Sequence, residues 1–204
     1  MADWPQPGDS LFNSGTDWET EALLNSFGDW FLSYASGYKA AADAVVERVE
    51  AKEESPDRVG NAVCFLYRHY VELMLKGLIS VGTMLGSSKA DYPKHHRIDE
   101  LWRQCRPLLE KASPEGEKID TDAVERCIKE LASMDPSGEA FRFGEDKDDR
   151  PTIPRVTQIS LTNMRDVMNR IAGFLEGSYD WMYELLQYQA DIDAEFDADI
   201  GGES

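Results

Sequence analysis

What this sequence has least of is positive charge, histidine and cysteine. Lys and Arg total 21 against 39 Asp and Glu, for a formal net charge of −18. Nonspecific binding to a phosphate backbone needs clustered Lys and Arg, and this chain carries the opposite sign. Direct nonspecific DNA binding is therefore not expected, and neither is attachment to an anionic membrane. The stretch 190–204 holds Asp191, Asp193, Glu195, Asp197, Asp199 and Glu203 with no base, yet taking those six from 18 still leaves −12 on the rest. Cys64, Cys105 and Cys127 are odd in number and lie in helix-like segments. They point to free, mostly buried thiols in a reducing, cytoplasmic compartment rather than to a disulfide framework. The most apolar stretch, 59–85, is interrupted by Arg68, His69, Glu72 and Lys76, which argues against a membrane span. The opening MADWPQPGDSLF has neither the basic residues nor the apolar core of a signal peptide. A glycine-rich phosphate loop, a nucleophile elbow and an HExxH motif are also missing, so the chemistries they serve are not expected. No cofactor is expected.

What is present suits one helical domain. The chain has 204 residues, of which 42% are hydrophobic, enough for a core of its own. Residues 1–16 carry Pro5, Pro7, Gly8 and Gly15 and read as an irregular arm. The domain is expected over 17–189, and the acidic 190–204 as a disordered tail. Asp17 is placed to cap a long first helix, along which Leu24, Phe27, Phe31, Tyr34, Tyr38, Ala41, Val45 and Val49 recur at helical spacing. Ser55-Pro56 starts a second helix that runs to about Leu85 and is apolar nearly all round, as a central helix should be. A third is expected from about Arg97 to Lys111, with Ile98, Leu101, Trp102, Leu108 and Leu109 inward and Pro107 kinking or shortening it. Asp120 is placed to cap a fourth from Thr121 to Ser133, with Val124, Ile128 and Leu131 inward. Residues 134–160 hold three prolines and two glycines. Ala140-Phe141-Arg142-Phe143 and Thr152-Ile153 flank a polar turn there, so a short hairpin is expected. Ser160 caps the last helix, whose buried stripe is Met164, Met168, Ile171, Leu175, Met182 and Leu185.

Chemistry-bearing residues concentrate in the second helix. Arg68, Glu72 and Lys76 are four residues apart and His69 lies three before Glu72, so all four share one side. Helix geometry alone favours a solvated stripe with a Glu72–Lys76 pair worth a few tenths of a kcal/mol. The alternative is a functional polar patch in which Glu72 raises the pKa of His69. His95 and His96 open the third helix. No Cys or further His is spaced to complete a zinc site, so one of the pair is expected to cap the helix or hydrogen-bond across the bundle. In the 134–160 segment, Asp146, Asp148 and Asp149 lack the glycine and distal glutamate of a calcium loop, and a solvated turn is expected. If the rings of Phe141 and Phe143 both bury, Arg142 is held facing the other way. It would then pair with Glu72 and leave His69 facing a bound anion.

At these residues the sequence resembles the HEPN superfamily of small α-helical bundles. Arg68-His69-Tyr70 with Glu72 and Leu75-Lys76 resembles the family's RHxxExxLK type of segment. His96-Arg97-Ile98-Asp99-Glu100-Leu101-Trp102 resembles the start of its next helix. Asp135-Pro136-Ser137 with Ala140-Phe141-Arg142-Phe143 resembles the DP-S…FRYP loop of a group of bacterial HEPN-like proteins. The resemblance runs from about Ser55 to Met182. It implies an all-α, up-and-down bundle of about five helices, with a loop or hairpin before the last long helix, in a prokaryotic defence or toxin–antitoxin setting.

Catalytic HEPN ribonucleases carry an Arg followed by a His, four to six residues on, near their last helices. This chain has only His69, His95 and His96, and none fits that spacing. The expectation is thus a non-catalytic accessory or binding protein that acts through a partner protein or a nucleotide. Its binding residues are Arg68, His69, Glu72, Lys76, His96 and Arg142. Two alternatives stand beside it. One is a divergent metal-independent ribonuclease with His69, Glu72 and Arg142 as its catalytic candidates and Arg68 beside them. The other is an acidic mimic that occupies a basic nucleic-acid groove. Trp181 and Tyr188 are placed to support a homodimer.

Overall fold

A helix that is apolar on every side has to be surrounded, and the second helix is. The computed structural model describes residues 4–12, 15, 17–24, 30–87, 89–113, 118–153 and 158–201. Five helices are described: α1 (Trp30–Glu50), α2 (Pro56–Ser87), α3 (Ile98–Ala112), α4 (Lys118–Met134) and α5 (Leu161–Gly201). No strand occurs among the described residues, so the fold is an all-α bundle. No described helix is long and apolar enough to cross a membrane.

The chain forms two compact units, Met1–Trp30 and Phe31–Ser204. In the first, Asp17 accepts the Glu19 N–H at 3.2 Å, but what it caps is a single 3-10 turn, Trp18–Thr20, and not the expected long helix. Leu24 lies outside any helix and is exposed, as Leu23 is. Phe27, also assigned to that helix, lies outside the described residues.

In the second unit α2 packs on α3 and α5, and α4 closes against α3 and α5. Nearly every residue of α2 from Tyr67 to Gly82 is buried. Gly82 is where α2 meets both neighbours, for a Cβ there would lie 2.9 Å from Leu108 Cδ1 and Met182 Cε. The inward face of α1 is Phe31, Ala35, Ala42 and Val46; Phe31 is as expected, while Ala35 and Ala42 each lie one residue on from the expected Tyr34 and Ala41, which are exposed. Hydrogen bonds then tie α2 outward, from Tyr67 Oη to Asp43 of α1 at 2.6 Å and from Tyr70 Oη to Glu176 of α5 at 2.9 Å. Burial, and then these carboxylates, push both phenols well above their ordinary range.

α3 has the expected extent and runs through Pro107 to Ala112, since Leu101, Trp102, Cys105 and Leu109 bury on one face, and tertiary packing outweighs one lost backbone bond. Three expectations are corrected. α4 begins at Lys118, so Asp120 lies within the helix rather than capping it. The hairpin reduces to one antiparallel bridge, Glu145 with Pro151, around a turn held by the Asp146 carboxylate. Exposed residues on both sides of that turn have no layer to pair with. Finally, α5 continues to Gly201, so the acidic segment expected to be disordered is helical through that residue.

Candidate functional site

The polar stripe of α2 faces inward. Arg68 and Glu72 are each 2% exposed and Lys76 is 7% exposed, so the solvated-stripe reading fails. Burying ions in a protein interior costs several kcal/mol each unless each finds a partner. Here each of the three has a charged partner. Lys76 Nζ donates to Glu72 Oε1 at 2.8 Å, and Arg68 Nη1 donates to Glu72 Oε2 at 3.1 Å. Arg68 Nη2 donates to the main-chain carbonyl of His96 at 2.6 Å, and Nε to that of Asp135 at 3.1 Å. The guanidinium therefore ties α2 to the entrance of α3 and to the exit of α4.

Asp135 completes the balance. It is fully buried, and its Oδ2 lies 3.1 Å from Arg68 Nε. Because the Nε–H points to the carbonyl, Oδ2 takes no hydrogen bond, and its attraction to Arg68 is coulombic. Oδ1 accepts the backbone N–H groups of Gly138, Glu139 and Ala140 at 2.8, 2.9 and 3.0 Å. Two cations, Arg68 and Lys76, thus meet two carboxylates, Glu72 and Asp135. Gly138 sits where the loop crosses the guanidinium. Its φ is +88°, which side-chain-bearing residues rarely adopt, and a Cβ there would lie 3.0 Å from Arg68 Nη1, so backbone and space both favour glycine.

Two histidines edge the network. His96 Nδ1 lies 2.7 Å from Glu72 Oε1, the bond across the bundle expected of one of the His95-His96 pair, while its ring stays largely exposed. His95 accepts the Arg97 N–H at 3.3 Å. His69 is half-buried between Tyr38, edge-on at 4.4 Å, and Phe65, stacked at 5.7 Å. Its Nδ1 is 4.0 Å from Glu72 Oε2, beyond hydrogen-bonding distance. On Glu72, burial pushes the pKa up. The hydrogen bonds from Lys76 and His96, with their charges, outweigh burial and hold it below the ordinary carboxylate value.

The expected rise in the His69 pKa is overturned. Burial is the largest influence and lowers it. Glu72 opposes this, and Lys76, Arg68 and His96 lower it further. A carboxylate already matched by two cations has little field left for a third. The folded pKa lies below the unfolded value of about 6.5, so the unfolded chain takes up the proton first. The contribution of His69 is full above pH 6.5 and is lost as pH falls through the folded value. An NMR titration is expected to show the His69 ring titrating below about 6.5. A midpoint at or above that value would contradict the burial argument.

Of the residues singled out in the sequence, Arg68, His69, Glu72, Lys76 and His96 come together. Arg142 does not join them. The segment around it is a turn rather than extended, with the Arg142 and Phe143 N–H groups both bonded to the Glu139 carbonyl. Phe141 buries, Phe143 is exposed, and the Arg142 guanidinium lies 5.0 Å from the Phe143 ring. The expected Arg142–Glu72 pair is absent because Arg68 and Lys76 already occupy both carboxylate oxygens. Asp135 was missing from the site residues. Its signal was there in Asp135-Pro136-Ser137-Gly138, an acidic side chain followed by a turn glycine, which suits a carboxylate bonded to the backbone ahead of it.

A separate cleft of about 610 Å³ opens between α2, α4, the start of α5 and the 141–153 loop. Cys64 and Cys127 are in its wall. Burial pushes the Cys64 thiol up to about 11, so it stays protonated near neutrality and is a poor nucleophile. None of the five clustered site residues lines this cleft. No protein-family model, curated protein or solved structure matches the chain.

Proposed function

We propose that this chain is a HEPN-like binding protein of a prokaryotic defence or toxin–antitoxin type system, acting through a partner and not by cutting RNA. One observation carries the reading. The cations of the RHxxExxLK-like segment, Arg68 and Lys76, are buried and bonded to the fold's own carboxylates and carbonyls. A ribonuclease needs cations facing the scissile phosphate and a general acid–base pair at the 2′-hydroxyl. Here those groups tie three segments of the bundle together. His69 is enclosed by Tyr38 and Phe65, and Arg142 is turned to the Phe143 ring.

The test is direct. Purified protein incubated with structured and single-stranded RNA in the presence of a chelator is expected to leave both intact. Cleavage that disappears in His69→Ala would overturn the proposal in favour of the ribonuclease.

A further inference from the structure

We propose that the distal part of α5 is a docking surface for a basic amphipathic helix of another protein. This rests on the reading above that the chain acts through a partner, and it names the surface and the partner's chemistry. Met182 is the last fully buried residue of α5 among those whose side chains are described, and the helix then continues to Gly201, about 28 Å further at 1.5 Å per residue. Along this stretch Trp181, Leu185, Tyr188 and Ile192 follow one another at spacings of four, three and four. That is the seam pattern with which one helix packs against another. By helix geometry the seam lies roughly 120° around from the core face marked by Leu175, Tyr179 and Met182. Trp181, Tyr188 and Ile192 are 47%, 67% and 46% exposed. A contiguous apolar stripe of this kind, bordered by polar groups, marks an interaction surface.

Charge selects the occupant. Asp180, Glu184, Asp191 and Glu195 form a row immediately beside the seam, and no Lys, Arg or His follows Arg170 anywhere in the sequence. The seam therefore has no cation of its own to pair with these acids, and the negative C-terminal end of the helix dipole adds to their field. A second copy of the chain would bring the same acids against each other at a net charge of −18 per chain. A helix with leucine-type residues on its seam and Lys or Arg beside them satisfies both the apolar stripe and the acidic row.

The test uses the full chain and a synthetic lysine-rich peptide with leucines at three- and four-residue spacing, followed by fluorescence anisotropy. A peptide of the same composition in scrambled order is the control for charge alone. The patterned peptide is expected to bind at least tenfold more tightly than the scrambled one. Tyr188→Asp/Ile192→Asp and, separately, Glu184→Gln/Asp191→Asn/Glu195→Gln are each expected to weaken it at least tenfold. All of these residues are exposed, so the urea midpoint serves as a control that the bundle is intact. Equal binding of both peptides, or unchanged binding by the Tyr188→Asp/Ile192→Asp protein, would overturn the proposal. Light scattering that shows a dimer, lost in that same variant, would assign the surface to a second copy instead. The RNA assay does not depend on this surface, so the two readings can fail separately.

Discussion

Glu72→Gln is expected to lower the unfolding free energy by about 3–5 kcal/mol, the usual cost of leaving buried charges without their partner. The substitution keeps the shape of the side chain and removes its charge. Arg68 and Lys76 then remain buried, with only Asp135 to balance them. Urea unfolding followed by circular dichroism reads the loss directly. A second substitution isolates the cause. In Glu72→Gln/Lys76→Met one of the uncompensated cations is gone, so the double variant should be more stable than Glu72→Gln alone. A loss under about 1 kcal/mol for Glu72→Gln would place the pair in the range of exposed ion pairs, and the network argument would fail. The pH dependence has a definite sign. Because the folded pKa of Glu72 is depressed, its contribution is present above the ordinary carboxylate value of 4.5 and is lost as pH falls through the folded one.

Asp135→Ala should cost a similar amount, about 3–5 kcal/mol, for two separable reasons. Three backbone N–H groups, those of Gly138, Glu139 and Ala140, lose their acceptor. Arg68 also loses the carboxylate at 3.1 Å from its Nε. Asp135→Asn separates the two, since the amide oxygen still accepts from the turn while the charge is gone. The expected order of stability is wild type, then Asn, then Ala. Hydrogen exchange at the Gly138 and Ala140 amides should be fastest in the alanine variant. If Asn and Ala prove equally destabilised, the turn bonds contribute nothing measurable and only the charge matters.

The two variants bear on function as well as on stability. The RHxxExxLK-like segment, which suggested a catalytic patch, anchors the entrance of α3 through the His96 carbonyl and the exit of α4 through Asp135. Residues in these roles are under strong physical constraint whether or not they touch a ligand. The exposed Tyr188 and Ile192 of the α5 seam hold no buried charge in place and are under no such constraint.

The sequence by itself determined the all-helical class and the internal geometry of α2. Ser55-Pro56 marked its start, its apolar character marked it as central, and four-residue spacing placed Arg68, Glu72 and Lys76 on one side. These are local properties, set by 3.6 residues per turn and by the side chains within a few turns. Which way that side faces is not local, because a charged stripe on an isolated helix is solvated at no cost. Only the tertiary structure covered it with α3 and the Asp135 loop. It brought in two partners that lie 28 and 67 residues from Arg68 in the chain. Packing between Tyr38 of α1 and Phe65 desolvated His69 and reversed the direction of its pKa. The tertiary structure also turned Arg142 away, since the Glu72 oxygens were already taken. Spacing along a helix decides which side chains are neighbours; whether they meet water or one another depends on what the rest of the chain packs against them.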